Sequence, residues 1–249
     1  MVTDQELPLF QVHDDPESIR AVANTITSSF ADDPLIRWLR PLAGPWSASD
    51  PNTSKWQYRR VLRAVADGIV LVSATVTEVD REFHKDGKLC ERLTVERDAG
   101  AVALLFPPRR GCRWTLGRIL LWWKVWFLDI VSPVHEKGGN DKRLKQLMDA
   151  HERVVTNVQN TYRIPDPWYL EVIAVHPCLQ GRGLGRKALR SVLDHTNNEP
   201  VILECTNGDN VSFYERLGFK VVEEVELVED GAGVKLWFML RQGLRKQTD

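Results

Sequence analysis

WYLEVIAVHPCLQGRGLG, residues 168–185, runs from an apolar, β-branched strand into a turn with glycines at 181, 183 and 185. GLGRKALRSVLDHTNN (183–198) then reads as a helix, and the alternation continues through PVILECT (200–206) and DNVSFYERLG (209–218). FKVVEEVELVE (219–229) and GVKLWFML (233–240) close the chain as two strands about the Asp230, Gly231 turn. Strands separated by helices predict βαβ crossovers and a sheet that is parallel at least here. The closing hairpin predicts an antiparallel pair. The fold class expected is therefore α/β with a mixed sheet.

Outward from this core, GAVALLFPP (100–108) is a nearly continuous apolar run, the pattern of a strand buried on both faces. The rest of 76–108 is period two and β-branched, so it too reads as strand, broken by the polar excursion REFHKDGKLCE. Upstream, a short strand precedes PESIRAVANTITSSF, where Pro16 opens a helix and Ile19, Val22, Ile26 and Phe30 recur at helical spacing. In ADDPLIRWLRP, Asp32, Asp33 and Pro34 form a helix-starting turn and Trp38 an anchor. A second helix is expected from about Thr53 to Ser73, with Trp56, Val61, Leu62, Val65, Ile69 and Val72 on a broad apolar face. Residues 109–162 hold a Trp-rich segment and DKRLKQLMDAHERVVTNVQN, a helix that places Leu144, Leu147, Met148, His151, Val154, Val155 and Val158 together.

The 249 residues carry 33 basic and 34 acidic side chains, so net charge gives no reason to expect nucleic acid or an anionic membrane as partner. ILLWWKVWFLDIV (119–131) is interrupted by Lys124 and Asp129 and falls short of the roughly 20 residues that span a bilayer. Four cysteines without a CxxC pair, after a polar start, predict a reducing, cytoplasmic setting. None of the six histidines has metal-ligand spacing, so no metal is expected.

Glycines at a strand-to-helix turn admit a ligand to the backbone, and the free amides of the helix N-terminus attract an anion such as a diphosphate. The spacing GxGxG is not the Rossmann GxGxxG, Gly185 is followed by Arg-Lys rather than the Lys-Ser/Thr of a Walker loop, and no kinase elements lie downstream. The pyrophosphate arm of coenzyme A remains.

YLEVIAVHPCLQGRGLG followed by ECTNGDNVSFYERLGFKVV resembles the core of the Gcn5-related N-acetyltransferase (GNAT) superfamily, with Gln180, Gly183 and Gly185 filling the Q/RxxGxG/A loop. ADDPLIRWLRP, GAVALLFPP and FYERLGF are similar in kind and order to puromycin-type N-acetyltransferases. The resemblance implies one domain over 1–249, with 109–162 as a helical insertion and 168–241 binding acetyl-CoA. It implies that the pantetheine pairs with Ile173, Ala174 and Val175, that Gln180, Gly181, Arg182, Gly183, Leu184, Gly185 and Arg186 hold the diphosphate, and that Asn207 or Asn210 contacts the pantetheine. Tyr214 is the implied general acid to the leaving thiolate.

Glu171, two residues before Ile173, is expected by strand alternation on the face of the reacting carbonyl. It reads as base, as ammonium anchor, or as half of a salt bridge with an arginine. Tyr169 stands where histone-type members carry their catalytic Glu, so that base is not copied here. Asp32 and Asp33 read either as substrate contacts or as a helix cap. His176 reads as a loop residue. Trp114, Trp122, Trp123, Trp126 and Phe127 form either a wall for an apolar substrate, a subunit contact or packing, with Trp122 and Trp126 the expected substrate contacts. The function expected is acetyl transfer from acetyl-CoA to a small-molecule amine by a monomer or homodimer. The alternatives are a protein acetyltransferase and a non-catalytic acyl-CoA-binding regulator.

Overall fold

The computed structural model describes residues 7–83, 97–108 and 116–243. Cys90, Cys112, Trp114 and most of the polar excursion lie outside them. Three helices begin alike: Asp15, Asp33 and Asp50 each cap a helix whose first residue is proline, giving α1 (Pro16–Ser29), α2 (Pro34–Leu39) and α3 (Pro51–Asp67). The aspartate side chain accepts from a first-turn amide, while proline has no N–H that would lack a partner there.

Strand β1 (Phe10–Gln11) is short, and β2 (Ile69–Val72) occupies residues expected to continue α3. Gly68 ends that helix where a Cβ would lie 2.5 Å from the Leu105 carbonyl oxygen. The run IVLV then satisfies its backbone by pairing with β3 (Ala101–Phe106), Ile69 opposite Leu105. A short apolar run fits either period, so pairing decided it. The opposite error lies at Val76–Phe83, expected as strand and folded as helix α4. Thr75 and Glu78 form a reciprocal cap there, the Thr75 amide donating to Glu78 Oε2 (2.9 Å) and the Glu78 amide to Thr75 Oγ1 (3.4 Å).

Helices α5 (Leu116–Val131) and α6 (Asp141–Tyr162) lead to β4 (Trp168–Val175). Then follow α7 (Leu184–His195), β5 (Val201–Cys205), the single-turn α8 (Val211–Glu215), β6 (Lys220–Glu229) and β7 (Ala232–Arg241). The seven strands are ordered β1-β2-β3-β4-β5-β7-β6. Only β4 and β5 pair in parallel; β7 inserts antiparallel between β5 and β6, so the second crossover makes no parallel neighbour. β3 is buried almost throughout, as its composition predicts.

Two separate clusters cover one face of the sheet: α1, α3 and α5 on β2–β4, and α2 with α6 on β5–β7. The other face is packed by α7, α8 and α4. No helix among the described residues is long and apolar enough to cross a membrane. Cys205 is a buried free thiol, whereas Cys178 is disulfide-bonded, a departure from the all-thiol state that a reducing setting implies.

Candidate active site

β4 and β5 pair through Trp168–Val201, Tyr169–Ile202 and Leu170–Leu203, and there the ladder stops. On the other edge of β4 the register with β3 passes from Leu105–Leu170 to Leu104–Val172, leaving Glu171 as the extra residue of a bulge. A bulge bends its strand, and here β4 splays from β5. The His176 amide donates to Gly100 on the β3 side (2.9 Å). Alternation therefore turns Ala174 toward β3 and the N–H and C=O of Ile173 and Val175 toward the opening. The Val175 carbonyl accepts from Ser29 Oγ (3.1 Å) and Gln180 Nε2 (2.9 Å), which leaves Ile173 as the open backbone position.

Below the splay, Gly181 and Gly183 hold φ of 76° and 78°, and a Cβ on either would meet nothing within 4 Å. Gly183 caps α7 without a side-chain hydrogen bond, so no capping side chain takes up the amides of Leu184, Gly185 and Arg186 at this helix N-terminus. Uncapped amides at a helix N-terminus attract anions. Leu184 is buried and offers only its backbone, Arg186 is exposed, and the Arg182 guanidinium is held by Asp80 of α4.

A cleft of about 1000 Å³ runs from the splay between the two core clusters to α2, α3 and α6. Tyr214 stands on its β5 side, wedged edge-on between Phe213 and Phe219 at centroid distances of 5.1 and 5.9 Å. Its hydroxyl has no hydrogen-bond partner among the described residues, and burial, with Cys205 and Asp33 nearby, raises the phenol far above its ordinary pKa. Asp33 caps α2 at the Ile36 amide (3.1 Å) and accepts from the Thr206 hydroxyl; burial pushes its carboxyl up. Asp32 lies exposed at the rim, paired with Arg37. Asn207 accepts from the Asp209 amide (3.0 Å), whereas Asn210, at the cap of α8, makes no capping bond with its side chain. His176 is buried, its Nδ1 accepting from the Cys178 amide at 3.3 Å, a loop role as expected.

Glu171 Oε1 accepts two bonds from Arg60 of α3, at 3.2 and 2.5 Å. Alternation fails at this residue. The bulge turns Glu171 toward α3, while Ile173 packs on the α7 face, so the two do not share a face as expected. Both still line the cleft. Oε2 has no partner among the described residues.

Trp122 and Trp126 do not line it. α5 buries Leu121 and Val125, and its tryptophans form an exposed edge-to-face row with Trp123 on the outer surface. The apolar lining comes instead from Trp46, Trp56, Leu144 and Met148. Leu144 and Met148 are 48% and 53% exposed because the helix face they share opens onto the cleft.

Sequence reasoning missed a polar cluster in the same cleft. His151 Nδ1 lies 2.5 Å from Glu204 Oε1, and Tyr169 donates its hydroxyl to Glu204 Oε2 (3.1 Å). The available signal was a histidine on the apolar face of α6 and a glutamate inside the otherwise apolar β5, costly unless they meet.

Residues 147–221, from within α6 to the start of β6, match the family model of the acetyltransferase (GNAT) domain. Across nearly its whole length the chain is similar to a Corynebacterium glutamicum protein described as histone acetyltransferase HPA2 and related acetyltransferase. The TM-score is 0.56 at 16% identity, over 98% of this chain and 99% of that one. It is similar to arylalkylamine N-acetyltransferase 2 of Aedes aegypti (TM-score 0.56, 14% identity, 94% and 98% covered). The C-terminal condensation domain of Ebony, solved with beta-alanyl-dopamine, is also similar (TM-score 0.54, 13% identity, 94% and 99% covered). At such identities the likeness is one of fold. The family match overlies the splayed strand, the glycine turn and the Tyr214 helix, and the fold agrees from end to end: the chain has the GNAT fold, with residues 147–221 matching the GNAT acetyltransferase domain.

Proposed function

We propose that the protein is an acetyl-CoA-dependent N-acetyltransferase acting on a small-molecule amine that carries an apolar portion. The observation that carries this reading is the splay of β4 from β5, which opens directly into a cleft with a carboxylate near the opening and an apolar far end. When bound, acetyl-CoA supplies an acetyl group activated as a thioester. The open backbone of Ile173 would pair with the pantetheine like an added strand, and the Ile173 amide would hold the charge that develops on the thioester oxygen. The uncapped amides after Gly183 suit a diphosphate. The unpaired hydroxyl of Tyr214 would protonate the departing thiolate. Its high pKa keeps the proton available, and a thiolate leaving within the same cleft loses hydration as well.

Glu171 would receive the acceptor ammonium on Oε2, with Oε1 fixed by Arg60. Asp33 and Asn210 both line the cleft; Asp33 would contact substrate and the Asn210 side chain the pantetheine. For the apolar portion, Trp46, Trp56, Leu144 and Met148 replace the tryptophans of α5. Of the proteins similar in fold, one is named an arylalkylamine N-acetyltransferase and the Ebony domain was solved in complex with beta-alanyl-dopamine, and the sequence likeness to puromycin-type enzymes points to a small amine too.

The test is thiol release from acetyl-CoA across short polyamines, amino sugars, arylalkylamines, amino-acyl compounds and peptides. Arylalkylamines or amino-acyl compounds should give the highest kcat/KM. Peptides outperforming every small amine would make it a protein acetyltransferase, and acetyl-CoA binding without release for any acceptor would make it a regulator.

A further inference from the structure

We propose that His151, held by Glu204, accepts the first proton from the acceptor ammonium, and that Glu171 anchors the amine without serving as base. This rests on the acetyltransferase reading above. The dyad and its neighbour Tyr169 come from three elements: His151 from α6, Glu204 from β5 just past the last residue paired with β4, and Tyr169 from β4. Both oxygens of Glu204 are committed, one to His151 at 2.5 Å and one to the Tyr169 hydroxyl at 3.1 Å, and its side chain is 12% exposed. A carboxylate so placed holds the ring with its proton on Nδ1, which makes Nε2 the acceptor. Nε2 has no partner among the described residues, and the ring lines the cleft. Glu171, in contrast, already receives two N–H groups of Arg60 on one oxygen, the arrangement of a fixed charge.

Burial works against charging His151, but the hydrogen bond and charge of Glu204, with the charges of Glu171 and Glu152, raise its pKa. The groups around it are Glu204 from β5, Tyr169 and Glu171 from β4, Glu152 on its own helix and the uncharged Phe238 of β7. β6, packed on the same helix, turns Glu223 to Arg153. A more basic imidazole lies closer to an alkylammonium and takes its proton with less of an uphill step.

Overall the C–N bond forms, the thioester C–S bond breaks, and the nitrogen sheds two protons. The first goes to His151 and on to solvent; the second replaces the one that Tyr214 gives to the thiolate. Glu204 is the positioning residue.

The experiment is the pH dependence of kcat/KM with the best amine of the panel. His151→Asn keeps a donor for Glu204 but has no base, and it should lower kcat/KM about 10²–10³-fold near neutral pH and move the rise with pH up to where the amine itself loses its proton. Acetyl-CoA affinity by calorimetry should be unchanged. Imidazole added to His151→Ala should restore part of the rate, and Glu204→Gln should move the rise to lower pH. Should His151→Asn not fold, His151→Gln is read the same way. A His151 variant with wild-type rate and an unaltered pH rise overturns the dyad alone. Wild-type protein that releases no thiol with any acceptor overturns the acetyltransferase reading and the dyad with it.

Discussion

Gly183 and Tyr214 show how much one residue can decide in this cleft. At φ 78° Gly183 occupies the left-handed region, where a side chain costs roughly 1–2 kcal/mol, yet a Cβ would touch no neighbour. Gly183→Val should therefore fold, somewhat less stable, while filling the space proposed for the diphosphate; calorimetry should show acetyl-CoA affinity lost. Unchanged affinity in the folded variant would move the diphosphate elsewhere. Tyr214→Phe removes a hydroxyl that has no partner among the described residues and keeps the ring between Phe213 and Phe219, so the melting temperature should hold. Turnover should fall about 10- to 1000-fold, the scale of a lost general acid, with cofactor affinity intact. Undiminished turnover under rate-limiting chemistry would leave Tyr214 as packing between Phe213 and Phe219.

Helices α3, α5 and α6 divide the tryptophans and methionine differently from what their sequence spacing implies. α5 is apolar around most of its circumference, yet only Leu121 and Val125 are buried, and Trp122, Trp123, Trp126 and Phe127 are left outside. α3 contributes Trp56, with Arg60 stacked 5.8 Å over its ring, and α6 contributes Leu144 and Met148 to the cleft. Trp56→Ala and Met148→Ala should each lower kcat/KM for bulky apolar amines about 5- to 100-fold, a loss of about 1–3 kcal/mol. They should scarcely affect short polyamines. Trp122→Ala and Trp126→Ala should leave the amine profile unchanged; loss of the preference for bulk in either would return the α5 tryptophans to the substrate.

At the scale of the molecule, the bonds among His151, Glu204 and Tyr169 tie α6 to β5 and β4, so the dyad also bears on stability. The folded pKa of His151 is raised above an unfolded value of about 6.5. Its stabilisation is thus fully present below the unfolded pKa and is lost as pH rises through the folded one. Urea midpoints should decline as pH rises above about 6.5 in the wild type more than in His151→Asn; equal slopes would mean that the pair is not charged in the folded state. The sequence by itself determined the mixed α/β class, the glycine turn, the closing hairpin and the likeness to the GNAT core, because these depend on local features: glycine conformation, alternation and the order of elements. Even the helix at Val76–Phe83 was written locally, in the Thr75 and Glu78 cap. Only the tertiary structure made Ile69–Val72 a strand, since a four-residue apolar run takes its form from the strand it pairs with. It alone turned Glu171 to Arg60 through a bulge in the β3–β4 register, and placed His151 beside a glutamate 53 positions away. Contacts between side chains so far apart in the chain leave no periodicity for a sequence to display.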